Sequence, residues 1–438
     1  MNLPVLLKHY LLARHSARRR QTREELEARQ HRKVTAFLTA TLAKSPFFAS
    51  YYKGLALEDW RNWPTTDKAL MMANFDEWNT LGMSKAEAFE TASRAEHDRD
   101  FVAPPGGITV GLSSGTSGNR GLFLVSPKER AAWAGAVLAK TLPGPLWQQQ
   151  RIAFFLRADS SLYQTVRSRR IAFRYFDMSR PPGMHLAPLQ QLAPTLLVAP
   201  PSMLRLLAEA QLEGRLAIAP RKIIAVAEVL EPIDRAYIEG AFQMELHQVY
   251  QCTEGFLGST CAHGTLHLNE DILVVEREYL DDAKRMFSPI ITDFSRTSQP
   301  IIRYRLNDVL TLSEQPCPCG SAHTALAAVS GRADDIFYGL TVHTEEQVPV
   351  FADFVRRSVM FAADQIEEYR IIQHSPTELE AALRIKGDEA VVRQALQEQI
   401  CKLFDGLGCH VPRVRFVPYH FEPGLVKLRR LQRSYVLH

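Results

Sequence analysis

Apolar and polar positions fall into three regimes along the chain. Up to about residue 100 the spacing is helical. Arg23 to Lys44 carries apolar residues at helical intervals among good helix formers and ends before Ser45-Pro46. Pro64-Thr65-Thr66-Asp67-Lys68 reads as a loop whose polar residues cap the next helix, and Pro104-Pro105-Gly106-Gly107 breaks the pattern again. From Ile108 to about Leu312, short apolar runs alternate with helical stretches. Examples are Arg151 to Leu156, Thr195 to Ala199 and Lys222 to Val226. Continuous apolar runs of this length are what strands buried on both faces require, so the pattern predicts a sheet layered between helices. Beyond Gly331 it predicts strands at Tyr369–Gln373 and Leu379–Ile385, a helix at Glu389–Asp405 and a strand at Arg413–Pro418. The expectation is an α/β protein: a large multi-layer α/β domain over residues 1–331, then a small mobile α+β domain over 332–438.

Composition changes this picture little. The 438 residues are 46% apolar and 23% charged, with a formal net charge of +4, which gives no case for nucleic-acid binding. No apolar run approaches the roughly 18 residues of a membrane span. Leu3 to Leu12 precedes Arg18-Arg19-Arg20, the reverse of a secretory leader, and reads as an amphipathic helix with a basic flank; contact with a membrane surface is the alternative. Six cysteines in a chain this long do not form a secreted disulfide framework, which points to the reducing cytoplasm.

Candidate chemistry begins at Gly111-Leu112-Ser113-Ser114-Gly115-Thr116-Ser117-Gly118-Asn119-Arg120-Gly121, between two apolar runs. Small residues let backbone N–H groups approach an anion, and the hydroxyls add donors. No lysine follows Gly118, so this is not the common nucleoside-triphosphate loop. A glycine-serine surface turn is the plain alternative. The segment resembles the phosphate loop of the adenylate-forming superfamily, which includes the acyl-CoA synthetases. Further segments match that superfamily in the right order: Ala227-Glu228-Val229; Tyr250-Gln251-Cys252-Thr253-Glu254-Gly255, with Gln251 in place of the usual glycine; Arg303-Tyr304-Arg305-Leu306-Asn307-Asp308; Gly331-Arg332-Ala333-Asp334-Asp335 at the hinge; and Gly424-Leu425-Val426-Lys427-Leu428-Arg429-Arg430. Ser45-Pro46-Phe47-Phe48 with Tyr51-Tyr52, and Cys317-Pro318-Cys319-Gly320, are similar to the phenylacetate-CoA ligase branch and its deazaflavin-adenylating relatives.

The resemblance implies that ATP and Mg²⁺ activate a carboxylic acid, aryl or hydroxyaryl by the branch, as its acyl-AMP. Transfer to the thiol of CoA or of a phosphopantetheinyl carrier protein would follow. Ser113, Ser114, Gly115, Thr116, Ser117 and Gly118 would hold phosphates, Ala227, Glu228 and Tyr250 would line the nucleotide, and Thr253 would meet the α-phosphate. Glu254 would hold Mg²⁺, Asp308 the ribose hydroxyls, and Arg332 would face the nucleotide. Lys427 would be the mobile catalytic cation; the alternative is a solvated basic tail shared with Arg429, Arg430 and Arg433. Two rival functions stay open, an adenylyltransferase that leaves AMP on its acceptor and a non-catalytic nucleotide-binding protein. A homodimer is also compatible with the sequence. After the hinge, Tyr338-Gly339-Leu340-Thr341-Val342 departs from the branch's pattern near the thiol tunnel, which weighs on the second half-reaction.

Separately, Cys261, His267, Cys317 and Cys319 offer three thiols and an imidazole, the donors of a closed structural Zn²⁺ site, with His263 competing for the fourth position. Otherwise they are small residues flanking a hairpin. Phe154, Phe155 and Tyr163 read as core, and His247 as a locally bonded histidine without an acid–base role.

Overall fold

The computed structural model describes residues 2–18, 21–98, 107–112, 121–156, 161–178, 180–332, 335–421 and 428–435. Its centre is a twelve-stranded sheet. The order runs Leu273–Tyr279, Met286–Asp293, Asp308–Leu312, Ala325–Arg332, Leu266–Leu268, Gly255–Thr260, Leu246–Cys252, Lys222–Ala225, Leu196–Ala199, Gln150–Leu156, Ile171–Asp177, with Ile301–Arg305 pairing Met286–Asp293 off this path. The half containing Gln150–Leu156, Leu196–Ala199, Lys222–Ala225 and the start of Leu246–Cys252 is parallel; from Leu246–Cys252 onward the pairs are antiparallel.

The parallel half is apolar on both faces because both are covered. Ala153, Leu197, Ala199, Ile223 and Ala225 face one core, with Leu204, Leu207 and Ile238 of the helices Pro201–Leu212 and Pro232–Phe242. Ile152, Leu196, Val198 and Ile224 alternate to the other face and meet the helices Leu3–Arg18 and Pro127–Thr141. Those two helices run so close that a Cβ at Gly135 would lie 2.2 Å from the Leu6 carbonyl oxygen, so residue 135 must be glycine. Leu6, Tyr10 and Ala13 are thereby buried, while Leu3, Leu7, Leu11 and Leu12 remain exposed.

The N-terminal region is helical, as its spacing predicts. Arg23–Leu42 opens with a capping box made by Thr22 and Glu25. Its face of Val34, Phe37 and Leu38 packs with Phe47, Phe48, Tyr52, Trp60, Trp63 and Trp78 against the antiparallel half of the sheet. Asp67 caps the helix Lys68–Ala73 through its side chain. The strap before that helix also pairs with the sheet: Thr66 N–H donates to the Arg303 carbonyl at 2.9 Å, and Arg305 N–H to the Thr66 carbonyl at 2.8 Å.

The C-terminal part has its own four-stranded sheet, in the order Arg413–Pro418, Glu378–Ile385, Ile366–Ser375, Leu431–Arg433. The helices Ala352–Ala362 and Glu389–Gly406 cover it through Val355, Val359, Val392, Leu396, Ile400 and Phe404. The molecule is thus a large sheet-rich α/β body with a smaller C-terminal α+β part. Among the described residues, no helix is long and apolar enough to cross a membrane.

Candidate functional site

Strand Leu246–Cys252 turns back into Gly255–Thr260 through two residues, Thr253 and Glu254, with Cys252 directly opposite Gly255. A two-residue connection places both side chains at the hairpin tip. Gly255 is required there, since a Cβ would lie 2.7 Å from Asp293 Oδ2. The loop beyond Asp293 buttresses the tip. Arg296 Nη1 donates to the Thr253 carbonyl at 2.9 Å, and Asp293 Oδ1 accepts from the Ser295 amide at 2.8 Å. Buried Glu129 accepts from the amides of Ser298 (2.8 Å) and Ser126 (2.9 Å) and from the Ser298 hydroxyl. Burial alone would raise the Glu129 pKa, but the Ser298 hydroxyl and Arg296 outweigh it and hold the carboxyl below its ordinary value.

Two carboxylates are oriented by tyrosines. Glu254 Oε1 accepts from the Tyr304 hydroxyl at 3.3 Å, and its Oε2 from Thr253 Oγ1 at 2.8 Å. Asp308 Oδ2 accepts from the Tyr250 hydroxyl at 2.5 Å. Burial, then the facing carboxylate charge, pushes both phenols far above their usual range, so each stays a donor at any physiological pH. Asp308 opens its strand directly opposite Arg332, the last residue of Ala325–Arg332. The Tyr250 hydrogen bond therefore brings Asp308, and Arg332 opposite it, to the strand that leads into the hairpin tip. Glu228 lies at a junction nearby: its carboxylate accepts from the Ser202 and Leu428 amides, both at 3.2 Å. Ala227 beside it has φ +66°, a left-handed conformation that is costly for a residue with a Cβ and common where backbone strain serves a site.

One member of this group carries no motif. Lys68, carried in by the strap that pairs with Arg303 and Arg305, is close enough to feel both Glu254 and Arg332. Burial lowers its pKa, Arg332 adds to that, and Glu254 opposes it. The sign of such a role is visible only once Thr66 is seen bridging Tyr304. Arg430 is also a surprise: it does not belong to a solvated tail but is buried, 4% exposed. Ser113, Ser114, Gly115, Thr116, Ser117, Gly118, Lys427 and the hinge residues Ala333 and Asp334 lie outside the described residues. The strands flanking the loop, Thr109–Leu112 and Leu122–Val125, do pair as an antiparallel hairpin.

The four candidate zinc ligands come together. Their ligand atoms all lie within 4.8 Å of one another; Cys261 Sγ is 3.6 Å from Cys317 Sγ, and Cys319 Sγ is 3.4 Å from His267 Nε2. A tetrahedron with Zn–S of about 2.3 Å and Zn–N of about 2.05 Å has edges of about 3.8 and 3.5 Å, so the spacing fits that ion. His267 Nδ1 is 3.1 Å from the His323 carbonyl, the outer contact that fixes a ligating imidazole's tautomer. His263 is exposed and meets Cys261 through its amide, so of the two histidines His267 is the one whose ring lies among the thiols. Phe155 is core, stacked on Phe176, whereas Phe154 and Tyr163 are half-buried and in contact at 4.7 Å. His247 is driven by burial, then by Lys222 and Arg235, down to about 4 and is neutral.

No protein-family model and no curated protein matches this sequence. Solved structures do match in fold. A 2-hydroxyisobutyryl-CoA ligase in its postadenylation state superposes with a TM-score of 0.70 at 17% identity, covering 94% of this chain and 90% of that one. The same ligase in its thioesterification state gives 0.56 at 17% identity, with 95% and 92% covered. The anthranilate CoA ligase AuaEII in complex with anthranoyl-AMP gives 0.51 at 13% identity over 71% of this chain and 64% of that one. By its element order, sheet topology and these superpositions, the chain has the fold of the adenylate-forming enzymes.

Proposed function

We propose that the chain is an adenylate-forming acid–thiol ligase that activates a carboxylic acid with ATP and transfers the acyl group to a thiol. The observation that carries the reading is the pairing of Tyr304 with Glu254 and of Tyr250 with Asp308, which lies opposite Arg332, with Lys68 close to Glu254. Adenylation brings a carboxylate against the α-phosphate and expels pyrophosphate, so positioning and charge neutralisation carry most of the catalysis. No general base is needed, because the attacking carboxylate is already ionised.

In this reading Asp308, held by Tyr250, takes the ribose hydroxyls, and Ala227, Glu228 and Tyr250 line the nucleotide. Thr253 hydrogen-bonds the α-phosphate. Ser113, Ser114, Gly115, Thr116, Ser117 and Gly118 hold the outgoing phosphates, and Lys427 bridges phosphate and acid. Glu254 is an anionic oxygen donor at a partly open hairpin tip, the chemistry that suits Mg²⁺, and it would hold that ion there. When bound, the ion neutralises phosphate charge. Residues 1–331 form the nucleotide- and acid-binding domain, and residues 332–438 the domain that turns. An aryl or hydroxyaryl acid is the substrate class we favour, and CoA or a phosphopantetheinyl carrier the acceptor, in the reducing cytoplasm that six free cysteines suit.

Pyrophosphate release across a panel of carboxylic acids tests this. One or a few acids should give ATP- and Mg²⁺-dependent release, and added thiol acceptor should then yield a thioester. Release of labelled AMP onto a non-thiol acceptor would favour the adenylyltransferase instead, and no release with any acid would overturn the reading.

We also propose that Cys261, His267, Cys317 and Cys319 hold a structural Zn²⁺. The cluster fastens the loop after Asp308–Leu312 to the strands Gly255–Thr260 and Leu266–Leu268, at the ends of the strands Gly255–Thr260 and Asp308–Leu312 away from Glu254 and Asp308. Elemental analysis should find about one zinc per chain, lost in Cys317→Ser/Cys319→Ser together with a clear fall in Tm. A metal-free protein whose Tm does not respond to chelator would refute the site.

A further inference from the structure

The contact between the C-terminal part and the large body is an ion-pair cluster, and it lies next to the segment that would carry Lys427. Asp234, in the first turn of Pro232–Phe242, accepts from Arg430 Nη2 at 2.6 Å and Nε at 3.2 Å, and from Arg205 Nη1 at 3.2 Å. The Asp234 and Arg430 side chains are each 2% exposed. Arg205 Nε also lies 3.5 Å from Glu368. One turn away, Glu231 pairs with Arg356 at 2.6 Å and accepts from the Tyr369 hydroxyl at 3.4 Å. Arg430 Nη1 donates in turn to the Tyr369 carbonyl at 3.2 Å.

Neither side of this cluster is balanced alone. The large body contributes Asp234, Glu231 and Arg205, two negative charges and one positive. The C-terminal part contributes Arg430, Arg356 and Glu368, the last also paired with the half-exposed Arg384, three positive charges and one negative. Docked, the negative excess of one side meets the positive excess of the other. Undocked, each side keeps an excess of one sign of charge that water can hydrate. An interface of this kind is specific when closed, because removing one partner strands a buried charge, yet it opens more easily than an apolar seam of equal area. The same chain segment runs from Arg430 back to Leu428, whose amide donates to Glu228 in the segment expected to meet adenine. As a whole the chain superposes better on the postadenylation structure of one ligase, with a TM-score of 0.70, than on its thioesterification structure, with 0.56.

We propose that Asp234 and Arg430 are positioning residues for adenylation: their buried pair docks the C-terminal part in the orientation that brings residue 427 to the nucleotide, and it must open before thiol transfer. This rests on the reading of the chain as an adenylate-forming ligase with Lys427 as its mobile cation.

Asp234→Asn in the full-length protein is the test, since it keeps the shape and removes the charge. Pyrophosphate exchange should fall about tenfold as the docked population drops, while thioester formation from supplied acyl-AMP stays within about twofold of wild type. Adding Arg430→Gln should cost little more, because the two residues act as one pair. Hydrogen exchange supplies a readout that needs no substrate. Peptides over 428–433 and 231–240 should lose protection in Asp234→Asn, and those over the helix Glu389–Gly406 should not. Unchanged exchange at 428–433, or equal slowing of both half-reactions, overturns the latch. A wild-type protein that forms no acyl-AMP from any acid overturns the functional reading and with it this purpose for the pair, even where the exchange result shows docking.

Discussion

Glu254→Ala is expected to lower acyl-AMP formation by about two to three orders of magnitude while costing the fold only about 1 kcal/mol. The asymmetry follows from where the residue sits. Glu254 is at a hairpin tip, only partly buried, and it accepts from the Thr253 and Tyr304 hydroxyls at 2.8 and 3.3 Å. Deleting it leaves one phenol short of an acceptor, which water at the tip can replace. In the proposed reaction the same carboxylate would supply charge at the place where a phosphate-bound cation is held. Glu254→Gln sharpens the test, because the amide oxygen still accepts from Tyr304 but the negative charge is gone. The Gln variant should match wild type in Tm and resemble the Ala variant in rate. Near-normal pyrophosphate exchange in either folded variant would remove Glu254 from the site.

Much of this site was legible from residue order because its parts sit on local structures with strong sequence signals. Thr253 and Glu254 occupy the tip of a tight hairpin, Asp308 starts a strand, and Arg332 ends one. The C-terminal strands and helix also lie where alternation and helical spacing put them, with Arg413–Pro418 found at the expected bounds. The zinc candidates could be named from residue types alone, and only the choice between His263 and His267 needed three dimensions. What sequence could not give depends on pairings far apart in the chain. Lys68 enters the site because Thr66 pairs with Tyr304, a contact with no motif and a separation of more than two hundred residues. The acid holding Arg430 is Asp234, which reads as an ordinary first-turn helix acid. Periodicity likewise leaves the helix Leu3–Arg18 looking like a free amphipathic helix, when half of it is pinned to Pro127–Thr141 by the absence of a side chain at Gly135. Local pattern reports propensity and burial, whereas partner choice across a sheet or interface is a tertiary property.

Lys427→Ala is the companion experiment to the docking variants and should have the larger effect. If Lys427 bridges phosphate and acid oxygens, its ammonium acts at the atoms where charge builds up, and its loss should slow adenylation by about two to three orders of magnitude. Asp234→Asn only shifts how often that ammonium arrives, so its effect is bounded by the change in docked population and should be the milder of the two. Both variants should spare thioester formation from supplied acyl-AMP, because in the proposed scheme that step would use the other orientation of the C-terminal part. Gly331, at φ +109° just before the proposed pivot, has the conformational freedom such a rotation asks for, and a Cβ added there would meet open space, so backbone freedom and not packing selects glycine. Measuring the two half-reactions separately on the same preparations therefore orders the three residues: Lys427 in the chemistry, Asp234 and Arg430 in its positioning. Equal slowing of both steps by Lys427→Ala would mean that the two-orientation scheme is wrong for this protein and that Lys427 belongs to a solvated basic segment.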